Sequence, residues 1–501
     1  MLKFKVFENG APAKSVNLDD AYLVGSDRVP LRVKMEFAKG EIRCDPRARG
    51  AAALSIMWPV EGIGRIMLET TRLLERTKPY NLHVELARGQ LMRINQKRED
   101  WGLYDFTEGE SIYQEIDAVR DQLITAITAD DDVTATRHGD AAIAAGVKVG
   151  ETVGIFHSDI ILKRRHEDRK LARRPLGCGV DVSADPERWM PGLVEAFDFA
   201  SLPFSWRALE PKENKYQTKP FDQWLRAIRH HKMPVRGRSL LSFKKEYLPS
   251  WVASLPKDYE QVRECVSKHL KYTLKQFGGR VRAWEVISGL HAHNTLHLSF
   301  EQIMELTRMS AILVKQMAPR STAIVGIVSP WGEYYAHDAR SIPPALYAEM
   351  VVQSGINFDA FGLEVRFGGG EPGLYVRDMM QISSMLDQFG KLGKPVHVTA
   401  AGVSSGGSTE GGTWHGEWSE QIQAQWLRDF YQIALSKPFV ETVCWQILAD
   451  DAADSHEGGV WRADLSHKPA YEEILSLRRR LQEDPTTHPA LDPSHDEGLE
   501  T

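Results

Sequence analysis

Eight short apolar runs alternate with amphipathic ones over roughly the last three-fifths of the chain, after a first hundred or so residues of short strand-like segments between turn residues. Together these two patterns predict an α/β fold: a (β/α)8 TIM barrel preceded by a β-rich N-terminal domain with a helical segment. A 501-residue chain also exceeds one ordinary core, so more than one domain is expected. The pattern changes place the β-rich domain with its helical bridge at 1–175, the barrel at 176–482 and a tail at 483–501.

Taken in order, "LRVKMEF", "AALSIMW" and "YNLHVELA" have period-two or all-apolar character between Gly, Pro and Asn breaks, and read as strands of a sandwich-type module, a candidate carbohydrate-binding domain. Residues 110–172 turn helical: "YQEIDAVRDQLITAIT" and "DAAIAAGVK" carry 3.6-residue apolar spacing, and the charged "LKRRHEDRKLARR" reads as a solvated helix face. No flexible Gly/Ser or Pro-rich linker separates this half from the barrel, so the two are expected to pack.

Barrel strands are expected near 176–182, 197–202, 233–240, 281–287, 322–328, 358–364, 395–400 and 440–447, with helices at 258–277, 300–317, 374–392 and 418–436 between them. Strict alternation implies parallel strands with crossover helices, and eight units close a barrel whose active site lies at the strand C-termini. The Pro-rich, acidic tail "EDPTTHPALDPSHDEGLET" should be disordered.

A formal net charge of -6 argues against nucleic acid and against an anionic membrane surface as partners. No run approaches the roughly 20 apolar residues of a membrane span, and the start has no signal-like apolar stretch, so a cytoplasmic protein is expected. The four cysteines (Cys44, Cys178, Cys265, Cys444) form no CxxC pair, which disfavours a zinc or disulfide framework, and no cofactor or metal is expected. The oligomeric state is not legible.

The barrel half resembles glycoside hydrolase family 10, the xylanase family. The resemblance rests on "FSWRALEPKENKYQTKPFDQWLRAIRHHKMPVRGRSLLSFKKEYLPSW", then "RAWEVIS", "INFDAFGLEVRF", "VCWQILADD" and "HKPAYEEI", in the family's order and spacing. It implies a β-linked oligo- or polysaccharide as partner. It also implies two catalytic glutamates, which by position fall on Gly289 and Ala400, residues unable to transfer a proton or form a glycosyl ester. The family's strand-three and strand-six histidines fall on Arg238 and Arg366, while Trp284 and Trp445 are kept, either to stack on sugar or to pack the barrel.

Replacement carboxylates are available at other strand ends: Glu333 in "SPWGEYYA", Glu364 in "GLEVRFG", and Asp450 with Asp451 after the eighth strand. Glu364 and Arg366 stand two apart on a strand and so share a face, either as a reactive carboxylate held ionised or as a structural ion pair. His291 and His293 offer a His-x-His spacing with no third ligand in sight, so sugar hydrogen bonding is favoured over metal. Arg238, Arg366, Lys244, His291 and His397 would give the rim a cationic lining suited to an acidic saccharide. The glycine-rich "AAGVSSGGSTEGGTWHGEW" reads as a mobile lid. The expected activity is therefore glycoside hydrolysis by Glu364 and Glu333 with Asp450 in reserve, or a catalytically inactive barrel that binds glycan through Trp284, Trp445 and the rim cations.

Overall fold

A computed structural model of the chain describes residues 1–46, 50–103, 109–255, 258–368, 374–450 and 457–482. The expected tail and Asp451 lie outside the described residues.

The N-terminal region is built on two four-stranded sheets. One orders Tyr80–Asn81, Leu2–Lys5, Glu41–Pro46 and Val33–Ala38; the other orders Pro30–Leu31, Tyr22–Val24, Ala53–Val60 and Gly64–Glu69. Alternation sets their inner face: Leu2, Phe4 and Val6 are buried, and Lys3 and Lys5 between them are not. The "YNLHVELA" segment departs from expectation. Only Tyr80–Asn81 is strand, and a helix runs from Leu82 to Asp100. Asn81 accepts a hydrogen bond from the Val84 N–H, so the chain turns helical at an N-cap.

Two further helices follow, Glu110–Thr128 and the 36-residue Asp132–Glu167, the latter capped by Asp131. Small residues let the long helix approach its neighbours closely: a Cβ on Gly139 would lie 3.1 Å from the His83 backbone, and one on Gly146 2.9 Å from Gln90. Its far end lies on the barrel, where Arg165 donates to the Lys437 carbonyl at 2.6 Å and Gln432 donates to Asp159 at 2.8 Å.

Eight parallel strands close the barrel: Leu176–Gly179, Phe199–Pro203, Val235–Arg238, Ala283–Ser288, Thr322–Ile327, Ala360–Phe367, Val396–Val403 and Val440–Trp445. Each overlaps its expected position. Crossover helices Tyr259–Phe277, Phe300–Met317, Met379–Gly390 and Glu420–Ser436 cover the outside.

The N-terminal region packs on the C-terminal rim at strands five to seven. Arg32 donates to the Tyr335 and Asp338 carbonyls, both at 3.2 Å, and Met67 N–H donates to Val376 at 2.9 Å. The glycine-rich segment after strand seven is held in the same way and is not a free lid. Its Thr413 N–H donates to Arg65 O at 2.9 Å and its Gly416 N–H to Ile63 O at 3.2 Å. Trp414, 1% exposed, donates its indole N–H to Glu151 of the long helix at 2.7 Å, and His415 meets the other oxygen of Glu151 at 2.7 Å. Laid beside the edge strand Gly64–Glu69, this segment satisfies groups that an open edge leaves unpaired.

No described helix is long and apolar enough to cross a membrane.

Candidate active site

Strand alternation decides which residues reach the barrel interior. On strand four, Trp284 faces outward: its ring lies 4.9 Å from Phe204, which packs on Phe221 and Phe277 of the covering helices, and it is 0% exposed. Trp445 is placed alike, 6.2 Å from Trp426 and 6.5 Å from Tyr431 on a covering helix, with its indole N–H donating to Gly458 O at 2.8 Å. Both tryptophans therefore build the layer between strands and helices, and neither offers a face for sugar stacking.

Glu285, between Trp284 and Val286, points into the barrel. Its Oε2 accepts the Ser239 N–H at 3.0 Å and its Oε1 the Thr399 hydroxyl at 3.2 Å. Gly326 makes room for it, since a Cβ there would crowd Oε1. Burial pushes its pKa up to about 7, against the opposing pull of Arg238 and the Ser239 N–H. Glu285 was not among the expected site residues; its signal in the sequence is a single carboxylate inside the apolar run "AWEVIS".

Strand three sends two arginines inward. Arg236 is buried, donates to Thr442 Oγ1 at 2.6 Å and to His397 Nδ1 at 3.2 Å, and lies 4.5 Å over the Phe199 ring. Burial and Arg236 push the His397 pKa down to about 3, so this histidine is neutral, sits at the strand's starting end, and adds no charge to the rim. Arg238, two residues nearer the rim, is half-buried, and its guanidinium makes no hydrogen bond or ion pair among the described residues. Burial works against its charge, yet Tyr247, Glu364 and Glu285 hold its pKa above the usual arginine value.

On strand six, Glu364 and Arg366 form an ion pair, 19% and 26% exposed. They stand in register with Ala400 and Gly402 of strand seven, so Glu364 is the strand neighbour of the position expected to carry a nucleophile. The other two candidate carboxylates are placed elsewhere. Glu333, 1% exposed, pairs with Arg377 at 2.6 Å, and Arg377 also donates to Tyr22 of the N-terminal sheet at 3.1 Å. Burial raises the Glu333 pKa while Arg377 opposes it. Asp450 pairs at 2.5 Å with Lys468, which is 2% exposed, and accepts the Gly459 N–H at 2.8 Å. Both are held in structural ion pairs.

The two histidines after strand four part company. His291 is 0% exposed, donates from Nε2 to Val328 O at 3.1 Å and stacks on Tyr347 at 5.1 Å. Burial pushes its pKa down to about 3, so it is a neutral core residue. His293 is half-buried beside Gly289, its Cδ2 3.2 Å from where a Gly289 Cβ would sit. The structure thus brings Arg238, Glu364 and Arg366 together over Glu285, with His293 and Lys244 half-buried on neighbouring loops. Among the described residues no group of three or more His, Cys, Asp or Glu could hold a metal ion.

Residues 203–306 match the family model described as Glycosyl hydrolase family 10. Over 271 residues the chain is 20% identical to endo-1,4-beta-xylanase B of Thermotoga neapolitana, covering 52% of this chain and 72% of that protein. Its fold is similar to that of native xylanase 10B from Thermotoga maritima, with 19% identity and a TM-score of 0.50 over 64% of this chain and 98% of that one. The xylanase 10B of Thermotoga petrophila, solved in complex with xylobiose, aligns with 17% identity and a TM-score of 0.49 over 62% and 95% of the two chains.

Proposed function

Given a xylanase-like barrel with a family-10 region, we propose that its rim takes a β-linked oligo- or polysaccharide bearing acidic groups. One observation carries this reading: the half-buried guanidinium of Arg238, with its donors unused among the described residues, beside the Glu364 and Arg366 pair. A planar fork of N–H donors captures a carboxylate or sulfate bidentately. Glu285, neutral over much of the acidic range, leaves the cations in excess beneath the ligand.

Glu364 is the reactive candidate, because among the described candidate carboxylates it stays at the rim, whereas Glu333 and Asp450 pair with the buried Arg377 and Lys468. A second reading, capture without cleavage, is favoured by the ion pairs of Glu333 with Arg377 and of Asp450 with the buried Lys468, which withdraw both proposed partners of Glu364 from a two-carboxylate mechanism.

A panel of neutral and uronate-bearing xylo-oligosaccharides tests both. Arg238→Gln should weaken binding of acidic members about tenfold or more and leave neutral ones little changed, the scale of losing a charge-assisted hydrogen bond. Glu364→Gln should lower turnover about a hundredfold if the chain is a hydrolase, or weaken binding by about 1 to 3 kcal/mol if it only captures. Equal affinity for acidic and neutral members would sink the acidic-glycan reading.

A further inference from the structure

A cavity lies outside the barrel, between the N-terminal sheet, the helix Leu82–Asp100 and the barrel loops after strands five and six. It has a volume of about 220 Å³, the size of one sugar unit with a charged substituent. Six cationic side chains line it against three carboxylates, Glu69, Asp100 and Asp387. Asp387 is taken up by Lys97 at 2.7 Å and Lys437 at 2.8 Å, and Arg377 by Glu333. Arg28, Arg72, Arg93 and Lys391 are left with no carboxylate in ion-pair range among the described residues.

Backbone groups aim two of these cations. Arg72 donates from Nε to Gly25 O at 3.2 Å, and Arg93 donates to Glu69 O at 3.5 Å and to the Gln90 side chain. The opposite wall carries Pro330, Trp331, Pro343 and Pro344, with Trp331 half-buried and one of its ring faces covered by Arg377 at 5.0 Å. Arg93 faces the buried Asp378 carboxylate electrostatically, but cations still outnumber carboxylates around the cavity, and like charges in excess repel one another, a cost that an anion removes on binding. A cationic wall facing an aromatic and proline wall fits a ligand with one apolar face and one oxyanion edge.

We propose that this interdomain cavity binds an anionic sugar unit, its carboxylate or sulfate held by Arg28, Arg72, Arg93 and Lys391 and its ring set against Trp331. The occupant touches both the N-terminal sheet and the barrel, so binding also fastens the two together. The inference does not rest on the rim reading.

The test uses the full chain carrying Arg238→Gln, so that the rim anchor is absent. Calorimetric titration with glucuronate, with a uronate-bearing disaccharide and with inorganic sulfate is run at low salt, next to neutral xylobiose, with a thermal melt on each sample. Saturable uptake of the anions but not of xylobiose is expected, together with a melting temperature that rises with anion concentration by linkage. Adding Arg28→Gln, Arg72→Gln and Lys391→Gln, all exposed side chains, should weaken the anions at least tenfold and abolish that rise. Absence of anion binding in the Arg238→Gln chain, or equal binding after the triple change, overturns the proposal. Binding of inorganic sulfate with no gain for either sugar acid would overturn the sugar assignment.

Discussion

At the scale of single residues, Glu285 is the group whose charge state the fold controls most directly. Its pKa rises from an ordinary 4.5 to about 7 because burial penalises the anion. The folded chain therefore binds more protons than the unfolded chain between those values, so this residue's contribution to stability is full below pH 4.5 and is lost as pH rises through 7. The shift corresponds to about 3 kcal/mol. Glu285→Gln, neutral throughout, should gain that amount over the parent as denaturation is repeated from pH 4.5 to above 7; parallel stability profiles for the two proteins would remove Glu285 as the cause. Gly289 makes a second residue-scale point. Its φ of +68° suits glycine, and a Cβ there would stand 2.7 Å from Val328 Cγ2. Gly289→Glu together with Ala400→Glu should lower the melting temperature and yield no xylan cleavage, since a glutamate in this backbone state is strained and lacks a shaped polar surround. Xylan turnover by the double variant would show that two carboxylates suffice.

Among the elements, the segment after strand seven was legible as a glycine-rich loop with aromatics but not as an anchored one. Its glycines suggested freedom, whereas Glu151, some 260 residues earlier in the chain, accepts from Trp414, His415 and the Met379 N–H. Glu151→Ala would leave a buried indole N–H and a backbone N–H without an acceptor, at about 1 to 3 kcal/mol each. Hydrogen exchange should then quicken at 411–416 and at Met379 while the barrel strands stay protected; unchanged exchange there would mean the edge pairing with Arg65 and Ile63 holds the loop alone. The segment "YNLHVELA" departs from the expected strand for a related reason. Eight residues of mixed apolar character fit a strand and a helix start equally, and the decision falls to the Asn81 cap and to packing against the long helix.

For the whole molecule, the interlocking of rim and N-terminal sheet makes the two halves thermodynamically dependent. Tyr22, Arg32, Arg65, Lys97 and Glu151 all contact barrel residues, and the Arg377–Glu333 pair is buried beneath that contact. Removing residues 1–172 would expose Trp414, an uncovered ion pair and unpaired loop backbone. Calorimetry of the full chain should record one cooperative transition, and the barrel alone should melt well below it or aggregate; two independent transitions, with the barrel keeping its own melting temperature, would refute the dependence.

The sequence by itself determined the repeating pattern. Eight strand positions and their amphipathic helices were legible because burial against a covering layer imposes periodicities of 2 and 3.6 on local residues. It also brought Glu364 and Arg366 together, since two residues apart on one strand is a local relation. Which side of the strand is inside was not legible. Trp284 and Trp445 read equally as stacking platforms or as barrel packing, and the fold places them in the wall, while Glu285 beside Trp284 takes the interior place. Glu333 and Asp450 looked reactive until Arg377 and Lys468, distant in sequence, claimed them. Those outcomes depend on partners brought near only by closure of the barrel and docking of the N-terminal sheet, and the free energy of a charge is set by whatever surrounds it in space.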